Sequence, residues 1–133
     1  MFPKNKILFI SVTAFLLAHF SIASFAQVNR DLLAKKWIYS GTEEFGVVRA
    51  PDSTAKADFL ELKTDGNFIM AKEGKQWNGS WLLNEKTSVI TLTDTKSKKK
   101  FNYTIKDVGN KQLVLEYQSP DLVRTKYHYQ SKE

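Results

Sequence analysis

The sequence predicts an all-β fold: an eight-stranded antiparallel up-and-down barrel preceded by a short N-terminal helical turn. Apolar residues alternate with polar ones in eight successive segments, which is the period-two pattern of strands with one buried face. Short runs of turn-forming residues separate the segments, so consecutive strands are expected to be antiparallel neighbours. Because an eight-strand meander removes its two open edges by closing on itself, a barrel is favoured over a sandwich.

The first 26 residues have the organisation of a secretory signal peptide. Two lysines near the start precede a twelve-residue apolar run at 7–18, and Ser24-Phe25-Ala26 places small residues at positions −3 and −1. The run is shorter than the ~20 residues that span a bilayer, and His19 further disfavours the alternative of an uncleaved anchor. We expect cleavage after Ala26, export to the periplasm or out of the cell, and no transmembrane span in the mature chain 27–133.

The mature chain opens on a predicted helical turn. Asn29 is an N-cap candidate for a turn through Arg30–Lys36, and Asp31 lies near the positive end of that turn. Leu32 and Leu33 would then plug one end of the barrel.

Alternation assigns the inward face of the eight strands that follow. In chain order its residues are Trp37 and Tyr39; Leu60 and Leu62; Phe68 and Met70; Trp77, Gly79, Trp81 and Leu83; Ile90 and Leu92; Phe101, Tyr103 and Ile105; Leu113, Leu115 and Tyr117; and Val123, Thr125, Tyr127 and Tyr129. The strongest turn signal is Asp65-Gly66, because a two-residue hairpin needs positive φ and glycine adopts it without steric cost. The longest segment without a strand pattern is 49–56, which is either a binding-site lid or an ordinary surface loop.

The order of these segments resembles that of the lipocalin-like domain proteins of Gram-negative bacterial envelopes. A secretory leader is followed by Leu33-Ala34-Lys35-Lys36-Trp37 and by the segment 59–68, and later by Gly79-Ser80-Trp81, the strand 89–93 and Leu113-Val114-Leu115. The resemblance covers essentially the whole mature chain. Lipocalins usually carry Gly-x-Trp on the first strand, whereas here Lys35 stands at the glycine position and only Trp37 matches.

The resemblance implies a calycin-type β-barrel with an apolar cavity, no cofactor and usually no catalysis. It also implies that a basic side chain from the end of the chain lies across Trp37 and closes the bottom of the barrel. Arg124 and Lys126 are the candidates for this structural cation–π contact.

The residues themselves offer little for catalysis. There is no cysteine, which excludes disulfides, cysteine-ligated zinc and a thiol nucleophile. His128 lies between two tyrosines predicted to face inward, so it should face solvent, and no second histidine of the mature chain could complete a zinc site. Glu43 and Glu44 are adjacent and would diverge on a strand, which makes them a poor acid–base pair. We therefore expect neither an enzyme nor a metal site.

Lysines at 96, 98, 99 and 100 form the one basic cluster of the sequence. The favoured interpretation is a solvated hairpin tip whose charges discourage edge pairing. Contact with the phosphates of anionic lipid or lipopolysaccharide is the alternative. A nucleic-acid partner is not expected, because the chain is predicted to be exported.

The aromatic inward face is the main functional signal. Its candidate ligand-cavity residues are Tyr39, Phe68, Met70, Trp81, Phe101, Tyr103, Tyr117 and Tyr127. Buried tyrosine and tryptophan carry polar groups that need partners, so such a cavity would suit a small apolar ligand with one polar end. The leading hypothesis is an exported protein that binds a small hydrophobic or amphipathic ligand. The alternative is a packed barrel that acts as an interaction or inhibitor module for an envelope protein.

Overall fold

A computed structural model describes residues 28–132, and the predicted signal peptide lies outside them. The elements in chain order are α1 (Arg30–Leu33), β1 (Lys36–Glu44), β2 (Val47–Arg49), β3 (Phe59–Leu62), β4 (Asn67–Lys72), β5 (Lys75–Asn84), β6 (Val89–Asp94), β7 (Lys100–Val108), β8 (Gln112–Gln118) and β9 (Arg124–Gln130). Within this part of the chain, no helix has the length and apolar character needed to cross a membrane.

Eight of the strands form a closed antiparallel barrel, as the alternation predicts. β1 pairs with β3, each later strand pairs with the next one, and β9 returns to pair with β1. Antiparallel order divides the connections between two ends. The closed end carries α1 and the β3–β4 turn, and the open end carries the segment 50–58 and the β4–β5, β6–β7 and β8–β9 connections.

The short strand β2 is an element that the alternation did not indicate. It forms a hairpin with the last three residues of β1, and the turn between them is Phe45-Gly46, with φ of 51° and 78°. Thr42 pairs with β2 on one side and with β9 on the other. β2 therefore extends the wall at the open end, and the predicted loop at 49–56 is instead 50–58.

The closed end is sealed by α1 and two buried tryptophans. Asn29 caps the helix by accepting from the Leu32 amide at 2.8 Å, which confirms the predicted cap, although the helix ends at Leu33. The indole of Trp37 is fully buried and donates to the Leu33 carbonyl at 2.9 Å. The guanidinium of Arg30 lies 4.1 Å from the ring centroid of Trp81, whose indole donates to the Lys63 carbonyl at 2.8 Å.

The predicted cation over Trp37 is corrected by this arrangement. Lys35 lies against the Trp37 ring, with Nζ 5.3 Å from the ring centroid. Arg124 begins β9 at the open end, and Lys126 is paired with Glu43 of β1, six residues along the strand from Trp37. The sealing cations therefore come from the N-terminal segment, because β9 approaches the closed end only at its last residues.

The turn signals are only partly realised as predicted. Lys63 and Gly66 close a four-residue turn, since the Gly66 amide donates to the Lys63 carbonyl at 3.1 Å and Gly66 has φ of 89°. Two-residue hairpins form instead at Phe45-Gly46 and at Glu73-Gly74, each with φ of 51° and 78°, the pattern of a type I′ turn.

Candidate functional site

A cavity of about 210 Å³ opens at the open end of the barrel, and we call it the mouth cavity. Its walls are β1, β9, the β4–β5 hairpin and the segment 50–58. Below it the lumen is filled by side chains with at most 2% exposure. These are Trp37, Leu60, Leu62, Phe68, Met70, Trp81, Ile90, Leu92, Leu113 and Leu115. The barrel is therefore packed at the closed end and hollow near the mouth.

A β-bulge decides which residues of β1 face the mouth cavity. Tyr39 pairs with Tyr129, but Gly41 pairs with His128, so Ser40 is an extra residue in the ladder. The bulge reverses the alternation. Thr42 and Glu44 line the cavity, whereas Glu43 faces outward, where its carboxylate lies 3.0 Å from His128 Nε2.

Tyrosine rings and hydroxyls form the β9 side of the cavity. Tyr127 and Tyr129 line it, and the Tyr129 ring packs edge-on against Tyr39 with centroids 6.0 Å apart. Burial raises the pKa of the Tyr129 phenol above its ordinary value of 10.0, because the phenolate would be desolvated there. The Tyr39 hydroxyl is bonded to that of Thr42, and Thr125 donates to the Glu44 carboxylate at 3.1 Å.

Lys72 carries a positive charge into this aromatic wall. It continues the inward stripe of Phe68 and Met70 on β4, and its side chain is half-buried. Its Nζ lies 4.4 Å from the Tyr127 ring centroid and donates to the Tyr127 hydroxyl at 3.2 Å. Among residues 28–132, no carboxylate lies within 4.0 Å of this ammonium group.

Asp58 is the last residue of the segment 50–58 and lines the mouth cavity. Its two carboxylate oxygens accept from the Glu73 amide at 3.0 and 3.1 Å, which holds the left-handed Glu73 in the β4–β5 turn. The segment itself is organised by Asp52, which accepts from the amides of Thr54 and Ala55, both at 3.0 Å. Ala55 is buried and lines the cavity, so this segment closes one side of the mouth.

Burial raises the pKa of Asp58, and the negative charges of Glu73 and Asp52 raise it further. The hydrogen bond from the Glu73 amide and the positive charge of Lys72 lower this pKa, but the net shift is upward. The folded protein therefore takes up this proton at a higher pH than the unfolded chain, whose reference value is 3.8. The stability contribution of Asp58 is full below 3.8 and is lost as pH rises through the folded pKa.

We expect the Asp58→Asn variant to be at least as stable as wild type at pH 7 and to lose that advantage as pH falls towards 4. The amide oxygen still accepts from Glu73, but no charge is desolvated. Asp58→Ala is the control, because it also removes the acceptor and should be about 1–3 kcal/mol less stable than Asp58→Asn at every pH. Urea unfolding across this range would contradict the expectation if Asp58→Asn gained stability relative to wild type on acidification.

The structure separates the predicted cavity residues into three groups. Tyr39 and Tyr127 line the mouth cavity. Phe68, Met70, Trp81 and Tyr103 are buried in the packed core. Phe101 packs against Trp77 with centroids 5.5 Å apart, and Tyr117 is 38% exposed beside Tyr103. The rings of the second group fill the lumen because they converge from facing strands, which alternation alone does not reveal.

Several cavity residues were not among the predicted site residues. Lys72 had a usable signal, since it continues the alternation of Phe68 and Met70. Thr42 and Glu44 had no such signal in the sequence, because they face inward only as a result of the β-bulge at Ser40. Asp58 reaches the cavity through the fold of the segment 50–58, which carries no strand pattern.

Comparisons with known proteins support the fold. No protein-family model matches the sequence, and no relative was found among the curated proteins. The structure is similar to the crystal structure of a lipocalin-like protein from Bacteroides uniformis, with a TM-score of 0.57 and 19% sequence identity over 75% of this chain and 98% of that one. This chain therefore has the fold of a lipocalin-like barrel.

Proposed function

We propose that this protein binds a small amphipathic molecule in the mouth cavity. The observation that carries the proposal is a hollow, tyrosine-lined space above a packed core, partly closed by the segment 50–58. A lipocalin-like barrel is generally a binding fold, and a concave site with a few convergent polar groups is the expected form of a ligand site.

The size of the cavity restricts the ligand. A volume of about 210 Å³ is below the roughly 300–1,000 Å³ of common ligand pockets. The fully buried side chains that fill the lumen below the cavity block deeper entry. A long lipid tail therefore does not fit inside, and the ligand is either short or extends out through the mouth.

Of the described charged residues that line the mouth cavity, Glu44, Asp58 and Glu73 are acids and Lys72 is the one cation. The Asp58 carboxylate is bonded to the Glu73 amide and Glu44 accepts from Thr125, whereas the Lys72 ammonium group contacts the Tyr127 ring and hydroxyl. An ammonium group with free donors beside a phenol suits a carboxylate or another anionic head. We propose a ligand with such a head bound at Lys72 and an apolar end against the rings of Tyr39 and Tyr127.

The alternative remains a barrel that acts as an interaction or inhibitor module in the cell envelope. The observation in its favour is the filled lumen below the mouth cavity. The two functions differ in whether a small molecule binds at all. In both, we propose that the chain is exported and works outside the cytoplasm, as its predicted leader indicates.

Binding is tested with hexanoate and hexylamine, two probes of equal chain length and opposite charge, measured by calorimetry. We expect hexanoate to bind and hexylamine not to. Lys72→Met should weaken the binding affinity for hexanoate by about tenfold or more, since a hydrogen bond to a charged group is worth roughly 1.5–3 kcal/mol. Lys75→Met is the matched control, because Lys75 is exposed and lies directly across the hairpin from Lys72.

Native mass spectrometry of protein from its own host complements the probes by seeking a retained small molecule. If no such mass is retained and neither probe binds, the binding function is wrong and the interaction module becomes the better description. If hexylamine binds and hexanoate does not, the assignment of the anionic head to Lys72 is wrong.

A further inference from the structure

Exposed apolar side chains are concentrated at the open end of the barrel. In the described part of the chain, six large apolar residues are exposed, and five of them lie in or beside the open-end connections. Of these five, the most exposed are Phe45 at 88% and Leu122 at 74%, followed by Val48 at 60% and Val47 at 56%. Leu82, at 70%, is the one that lies elsewhere, on β5.

The backbone at the two most exposed residues is also unfavourable. Phe45 has φ of 51° and Leu122 has φ of 68°, the left-handed region that glycine and asparagine adopt most readily. For a bulky side chain this conformation costs free energy, and exposure to water gives no packing in return. The stability of the fold therefore does not explain why large apolar side chains occupy these two positions.

Phe45 and Leu122 belong to separate connections but lie on one surface. Both line an open groove of about 440 Å³ between the β1–β2 hairpin and the β8–β9 connection. We call Phe45, Val47, Val48 and Leu122 the apolar tips. Phe45 and Leu122 protrude from two separate turns, and Val47 and Val48 lie on the short strand β2. These separated side chains suit a medium that single side chains can enter.

Cations accompany the apolar tips. Arg124 and Lys126 line the same groove, and Arg49 ends β2. The lysine cluster 96–100 lies in the β6–β7 connection and at the first residue of β7, at the same end of the barrel. In residues 28–132, no carboxylate comes within 4.0 Å of any of these cations.

The acids nearby are engaged with other partners. Glu43 bonds to His128, Glu44 accepts from Thr125, and Asp121 accepts from Ser119. Glu116, the remaining acid of the groove, is half-buried on β8. Hydrogen bonds leave these carboxylates charged, but the seven arginines and lysines named above outnumber the four acids, so the excess charge offered to an external partner is positive.

We propose that the open end docks on the surface of an anionic phospholipid bilayer. The apolar tips enter the boundary between headgroups and acyl chains, and the arginines and lysines contact lipid phosphates. A fluid interface accepts separated, protruding side chains, whereas a protein partner requires a complementary surface. In this orientation the mouth cavity faces the membrane, although the docking does not depend on a ligand.

Docking is tested by flotation of the processed chain with vesicles of phosphatidylcholine alone or of phosphatidylcholine mixed with phosphatidylglycerol. Mass spectrometry first verifies the N-terminus of the processed chain. We expect binding to the mixed vesicles and markedly weaker binding to the neutral ones. Phe45→Asn/Leu122→Asn should reduce the partition coefficient by about tenfold or more, because two apolar side chains no longer enter the interface. Leu82→Asn is the matched control and should bind as wild type.

The same double variant separates docking from folding. Asparagine tolerates left-handed φ, so the variant should melt at the wild-type temperature or above while binding is lost. Unchanged vesicle binding by the double variant would overturn the proposal, as would an equal loss with Leu82→Asn. Failure of wild type to float with either vesicle would also overturn it. If sedimentation then showed that the wild-type protein is a dimer and the double variant a monomer, the apolar tips would be an interface with a second copy of the chain.

Discussion

Trp37→Ala should lower the free energy of unfolding by ~3–5 kcal/mol, because it empties one of the two largest buried side-chain volumes at the closed end. Trp37 is fully buried, its indole nitrogen is bonded to Leu33 and Lys35 lies against its ring. The substitution therefore removes the contact that holds α1 against the barrel as well as the packed volume. A loss of this size is much of the ~5–15 kcal/mol that stabilises a domain.

Urea unfolding and the melting temperature measure this loss, which should exceed about 10 °C. Trp77→Ala is the matched control: Trp77 is half-buried and packs against Phe101, so its removal should cost clearly less. Equal losses for the two variants, or a Trp37→Ala protein that melts within about two degrees of wild type, would show that the closed end does not depend on Trp37.

Gly79→Ala should be about as damaging for a different reason, at roughly 3 kcal/mol or more. A Cβ on Gly79 would lie 2.0 Å from the Thr93 carbonyl oxygen and 2.9 Å from the Thr95 amide nitrogen. Both are backbone atoms of the neighbouring strand and its exit, so no side chain can move aside to make room. The β5–β6 ladder would have to separate at this point.

Gly109→Ala is the control for Gly79→Ala. The nearest neighbour of a Cβ there is the flexible Gln112 side chain at 3.7 Å, and the backbone does not need positive φ. This variant should be neutral or stabilised by about 0.4–1 kcal/mol, because alanine restricts the unfolded chain. If Gly79→Ala unfolded at the same urea concentration as Gly109→Ala, the β5 and β6 backbones would not approach each other as closely as the structure indicates.

The apolar tips and the mouth cavity occupy the same end of the barrel. A molecule leaving a bilayer would therefore meet the Lys72 ammonium group and the tyrosine wall directly at the surface proposed to dock. The two proposals remain separable. Lys72→Met is expected to change probe affinity without changing flotation, and Phe45→Asn/Leu122→Asn is expected to do the reverse.

The sequence by itself determined the barrel. Alternation at Phe101, Tyr103 and Ile105, repeated along the chain, predicts strands with one buried face, and the short turns predict antiparallel neighbours. Asn29 likewise predicts the helix cap. These features depend on residues within a few positions of one another, so the local sequence is enough to predict them.

Only the tertiary structure decided the site. An extra residue at Ser40 reverses the alternation of β1, so Thr42 and Glu44 face the cavity. Lys35, rather than a residue of β9, lies on Trp37, because the stagger of the strands sets which side chains meet at the closed end. How much of the lumen stays empty depends on ring volumes converging from opposite strands. No local pattern in the chain carries that information, since packing is a property of residues that are distant in sequence.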